Sequence, residues 1–139
     1  MKGRFWWVGI LAALLVVMAT VIPTHAAVFS YYAPMNNTGK FVDSDGVFRG
    51  SGEARYRYDD STGYRELRVD LYNLPRRLIS NKVNLYVGTI FIGSINVNGQ
   101  GNGSLSINSS RRWVPDVQSG WRAEIETTGG TDVLEGEFR

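Results

Sequence analysis

The carboxylates are the first place to look for chemistry in this chain, because the other usual catalytic groups are scarce. The sequence has 13 Asp and Glu, one histidine, His25, and no cysteine. Asp43-Ser44-Asp45-Gly46 sets two hard oxygen ligands beside a tight turn, and Asp59-Asp60 offers a second pair. Asp43 and Asp45 are therefore the calcium candidates. An EF-hand loop opening at Asp43 would need a bidentate acid at its twelfth position, where Ala54 stands. The D-x-D-G run is more simply an Asx turn, and the sequence gives no reason to expect a resident metal or cofactor.

Catalysis finds little support. A serine or cysteine nucleophile needs a base, usually histidine, and His25 lies in a leader-like segment. A glycosidase needs two carboxyls facing each other across a cleft, whereas the acids on recognisable strands alternate outward with arginines. The chain is read as a non-enzyme.

Aromatic rings are the remaining functional currency. An exposed ring can stack on the apolar face of a sugar, and strand alternation buries Tyr56 and Trp121 but leaves Trp113, Tyr72 and Tyr86 as ligand-binding candidates. Trp113 sits in a polar loop beside Arg111 and Arg112.

The N-terminus bears on where such a site would operate. Lys2 and Arg4 precede an uncharged run from Phe5 to Ile22, followed by Pro23-Thr24-His25-Ala26-Ala27. A basic start, an apolar run and small residues at Thr24 and Ala26 describe a signal peptide cleaved after Ala26. The competing reading is a retained anchor, since the run approaches the ~20 residues that span a bilayer; contact with a membrane is otherwise not expected. Cleavage predicts a secreted, periplasmic or cell-envelope protein of about 113 residues. Lys2 and Arg4 also supply the whole excess of 15 basic over 13 acidic residues. The mature part is formally neutral, which argues against nucleic acid as a partner.

The elements that must carry the rings read as all-β. Gly, Asn, Asp and Ser punctuate the chain roughly every eight to twelve residues, and apolar residues recur at every second position. This predicts a small antiparallel β-sandwich or partly open barrel of about seven or eight strands built from hairpins. The expected organisation is a signal peptide over 1–26, an irregular segment with a strand at Val28 to Tyr32 over 27–46, and the β-domain over 47–139.

The hairpin from Gly52 to Tyr72, turning at Asp60-Ser61-Thr62-Gly63, has a definable register. Arg57 should face Glu66, Tyr56 should face Leu67 and Ala54 should face Val69, because a one-residue slip would bury Arg55 and Arg57. Arg55, Arg57, Glu66, Arg68 and Asp70 then form a solvated face of cross-strand pairs. A later hairpin is expected to pair Val97 with Leu105 and Ile95 with Ile107, which would stack Ser94, Asn96, Asn98, Ser104, Ser106 and Asn108 into a polar ladder.

From Gly50 onward the chain resembles exported bacterial β-domains of unassigned role. The shared pattern is Gly52-Glu53-Ala54-Arg55-Tyr56, then Leu74-Pro75, then Val114-Pro115-Asp116-Val117-Gln118-Ser119-Gly120, then Val133-Leu134-Glu135-Gly136-Glu137-Phe138. The resemblance implies a fold and supplies no site residues. Two functions follow as expectations: a non-catalytic module binding a surface polymer or protein, or a structural subunit that self-associates through sheet edges, with Ala27 to Lys40 adding a strand to a neighbour.

Overall fold

The computed structural model describes residues 27–42, 44–46 and 49–139; the segment 1–26 expected to be a signal peptide, and Asp43, lie outside them. Eight strands follow the period-2 apolar pattern: β1 (Val28–Asn37), β2 (Ser51–Asp59), β3 (Tyr64–Tyr72), β4 (Lys82–Val87), β5 (Ile90–Asn96), β6 (Gly103–Asn108), β7 (Arg122–Thr127) and β8 (Asp132–Glu137). They form one antiparallel sheet in the order β5-β4-β7-β8-β1-β2-β3-β6, curled into a nearly closed barrel. A 3-10 turn, Arg76–Leu78, follows β3.

Alternate residues fill the interior. Ala33, Met35, Ala54, Tyr56, Leu67, Val69, Leu85, Ile95, Ile125, Leu134 and Phe138 are among those almost fully buried. Burial of each large apolar side chain is worth about 1.5–3 kcal/mol, and without cysteine no covalent staple adds to it. Val114 and Val117, in the segment between β6 and β7, are buried at one end of the barrel, and Leu74 and Leu78, in the segment between β3 and β4, at the other.

The β2–β3 register follows from keeping charge out of the core: Arg57 pairs with Glu66, Tyr56 with Leu67 and Ala54 with Val69. The ion pairs, however, run along the strands rather than across them. Arg55 stands opposite Arg68, and each turns to the carboxylate two residues away on its own strand, Glu53 at 2.7 Å and Asp70 at 2.8 Å. Two facing guanidinium groups relieve their repulsion by leaning toward the next rung, where Glu53 and Asp70 face each other.

The N-terminal segment is more regular than its sequence suggests. β1 runs for ten residues and is interior, paired with β2 from Val28↔Asp59 to Met35↔Gly52 and flanked on its other side by β8. Ring pairs hold it there, with Phe29 stacked on Tyr58 and Tyr31 on Tyr56, each at 6.2 Å. Pro34 is unusual in an interior strand because it donates no ladder bond. Tyr32 exchanges both backbone bonds with Arg139 of the neighbouring chain end, so by alternation Pro34 turns its missing N–H toward the same side. Gly136 is what admits it there: a Cβ on residue 136 would collide with the Pro34 carbonyl oxygen.

The Ser/Asn hairpin is also different. β5 pairs with β4 and β6 with β3, so Val97–Leu105 and Ile95–Ile107 do not form a ladder. The connecting loop closes on itself instead, Asn98 N–H donating to the Asn102 carbonyl at 2.8 Å, while Leu67 and Val69 of β3 give Ile107 and Leu105 apolar neighbours. A bulge adds one residue to β5, the register passing from Leu85↔Gly93 to Tyr86↔Phe91 and leaving Ile92 unpaired. Ile92 is buried and Phe91 lies 54% exposed.

Because β1 is paired on both sides, a chain beginning at Phe41 should lose cooperative folding rather than merely the capacity to associate. Circular dichroism during heating should show no sigmoidal transition for that chain and a sharp one for Ala27 to Arg139. A stably folded short form would contradict this topology.

Candidate functional site

The two ends of the sheet meet along a seam between β5 and β6. The Val97 N–H donates to Asn81 and its carbonyl accepts from Ser80, so the backbone groups of Val97 face β4. By alternation those of Ser94 and Asn96 face the seam. On the other side the Ser109 N–H donates to the Arg65 carbonyl, which turns the backbone groups of Ser104 and Ser106 to the seam as well. These edges are short and polar, the form in which natural sheets leave an edge open.

The seam is filled unevenly. Near the 97–102 loop the strands touch, and a Cβ on Gly103 would stand 2.8 Å from the Asn96 carbonyl oxygen. Further along, Leu105 reaches across toward Gly93, and at the bulge the Arg112 guanidinium donates to the Ile92 carbonyl at 2.6 Å. Arg112, one of the two arginines beside Trp113, thus caps the carbonyl of the residue that the bulge leaves unpaired.

Outside this filling lies an open groove of about 540 Å³, lined by Asp70, Leu71 and Tyr72 of β3, Ser94 and Asn96 of β5, Asn98 and Asn102 of the loop, and Gly103 to Leu105 of β6. The loop fixes its own amides: Asn98 Oδ1 accepts from the N–H groups of Gln100 and Asn102, and Asn102 Oδ1 accepts from Asn73 N–H. That leaves both side-chain NH₂ groups as donors for a ligand. Tyr72 is 41% exposed at the rim. Partial desolvation, with the carboxylates of Asp70 and Glu53 nearby, holds its phenol above the ordinary range, so it stays a neutral donor at physiological pH.

Of the three aromatic candidates, Tyr72 alone joins the polar face. Tyr86 is half-buried on β4 and packs against Phe91 with ring centroids 5.5 Å apart. Trp113 is 65% exposed in the β6–β7 segment and does not line the groove. Trp121 is only half-buried, near Gly88.

The calcium candidates divide. Asp43 lies outside the described residues, and Asp45 is paired with Arg49 at 2.9 Å. Among the described residues no three His, Cys, Asp or Glu side chains gather as a metal site. Asp59 accepts from the Ser61 hydroxyl and N–H, an Asx turn that lowers its pKa.

A second depression, of about 600 Å³, lies on the outer face of β1, β2 and β3 and is lined by Ser30, Tyr31, Tyr32, Arg55, Tyr56, Arg57, Glu66 and Arg68. The charge pattern revealed the face but not its concavity, because sheet curvature has no signature in alternation.

Two measurements follow. Arg112→Met keeps the aliphatic stem but strands the Ile92 carbonyl, and should lower stability in urea by about 1–3 kcal/mol; an unchanged midpoint would mean that the cap carries nothing. Glu124, half-buried on β7, has a raised pKa, chiefly through desolvation and then through Asp132. Its protonated form therefore favours folding, and this group's contribution to stability rises as pH falls through that raised value. Glu124→Gln should stabilise at pH 7, and the gain should vanish below about pH 4, where the carboxyl is protonated in both states.

The chain matches no protein-family model and no curated protein, so the function has to be read from the groove itself.

Proposed function

We propose that this protein is an exported, non-catalytic module of the cell envelope or extracellular space, and that it holds a surface polysaccharide in the seam groove. Tyr72 stacks on a sugar face while Asn96, Asn98, Asn102 and Ser104 exchange hydrogen bonds with hydroxyls. The observation that carries this reading is the convergence of Tyr72 from β3 with the Ser/Asn runs of β5 and β6 in one groove. Its volume falls within the ~300–1,000 Å³ of ordinary ligand sites, and its donors and acceptors are mostly uncharged, as a hydroxyl-rich ligand requires. Export rests on the leader-like sequence from Lys2 to Ala27.

The rival reading, a subunit assembling through sheet edges, has less to build on. β1 is engaged by β2 and β8, and the two free edges face each other across the seam.

Affinity electrophoresis through gels containing neutral polysaccharides tests the reading. Tyr72→Ala and Asn96→Ala should each weaken retardation by roughly tenfold, about 1.4 kcal/mol, while Trp113→Ala should leave it unchanged. Full retention by Tyr72→Ala, or loss through Trp113→Ala, would overturn the groove assignment. Intact mass of the exported protein should correspond to a chain starting at Ala27.

A further inference from the structure

The depression on β1, β2 and β3 adjoins the seam groove through one ion pair. Arg68 lines the first, Asp70 lines the second, and Arg68 Nε donates to Asp70 Oδ2 at 2.8 Å. A polymer lying in the seam groove and crossing this sill would enter a space with three guanidinium groups, Arg55, Arg57 and Arg68, and one carboxylate, Glu66.

Two of these cations are already committed, Arg55 to Glu53 and Arg68 to Asp70. Arg57 is different. It is exposed, and no described carboxylate lies within ion-pair distance of it, although Glu66 is its register partner. Its five donors form a planar fork that matches a carboxylate. The Ser30 hydroxyl stands on the same lining, and the Tyr32 hydroxyl is turned to Glu53 at 3.2 Å.

We propose that this depression is an anion subsite which takes the carboxylate of an acidic polysaccharide, with Arg57 as the direct contact. The inference rests on the polysaccharide reading above and names the ligand class: a polymer of uronic acid units that runs along the sheet, another sugar of which, several units from the bound carboxylate, occupies the groove at Tyr72. One uncommitted guanidinium opposed by one carboxylate suits a singly charged group better than a dianionic phosphate.

Isothermal titration in 0.15 M salt with an oligogalacturonate and with its carboxyl-reduced, neutral counterpart tests this on the mature chain. The wild type should bind the acidic form at least tenfold more tightly. Arg57→Gln should erase that preference while leaving affinity for the reduced form and the thermal midpoint unchanged. Tyr72→Ala should weaken both forms and preserve their ratio; no effect of Tyr72→Ala would sink the seam-groove reading yet leave the Arg57 site standing. Equal affinity of the wild type for both forms, or a preference that survives Arg57→Gln, would overturn the subsite. So would a preference lost equally in Arg111→Gln, which would signal diffuse charge, or tighter binding of a polyphosphate.

Discussion

Closing a sheet on itself demands that its first and last strands find partners, and here those two, β5 and β6, meet without a ladder. The six-residue loop from Val97 to Asn102 is tied internally through Asn98, and its Gly101 carbonyl accepts from the Leu74 N–H beyond β3. That tie draws β6 to β3 and away from β5. What remains between them must be closed by side chains, Leu105 against Gly93 and Arg112 on the Ile92 carbonyl. A cysteine-free domain can tolerate this because β1, on the opposite side of the barrel, is bound to β2 by a long ladder and by stacked rings.

The candidate site follows from the same constraint. A fully paired seam would turn Ser94, Asn96, Ser104 and Ser106 into a flat polar ladder with its backbone groups spent. An unpaired seam leaves a furrow with hydrogen-bonding capacity from both side chains and strand edges, and β3 contributes Tyr72 to its rim. The risk of an open edge is association with another strand. Short strands, a bulge and the Arg112 cap each reduce that risk while keeping the furrow accessible to a ligand.

What could be read beforehand was decided by charge and alternation. The β2–β3 register was legible because burying an arginine is costly, which leaves one acceptable alignment. The extent of β1 was not, since Pro34 and the Asn36-Asn37 pair resemble loop sequence, and Pro34 is admitted by the close approach that Gly136 allows. The β5–β6 pairing misled for a related reason: a glycine-rich connection between alternating strands signals a reversal of direction, and it does not say whether the reversed strand pairs with its predecessor. Tyr72 was legible as an exposed ring, but nothing local separates it from Trp113. Their difference lies in which strand borders the seam, a property of topology. The along-strand ion pairs of Arg55 and Arg68 were likewise hidden, because they depend on which way two facing guanidinium groups lean.

Native-state amide exchange, followed residue by residue in the free protein and with an oligosaccharide bound, addresses the seam most directly. An unpaired seam predicts that the amides of Ser104 and Ser106 exchange near solvent rates while those of Leu105 and Ile107, bonded to β3, are protected, and that a bound ligand slows the first set. Equal protection along all of β6 in the free protein would mean that β5 and β6 are laddered, and would contradict both the open seam and the groove built upon it.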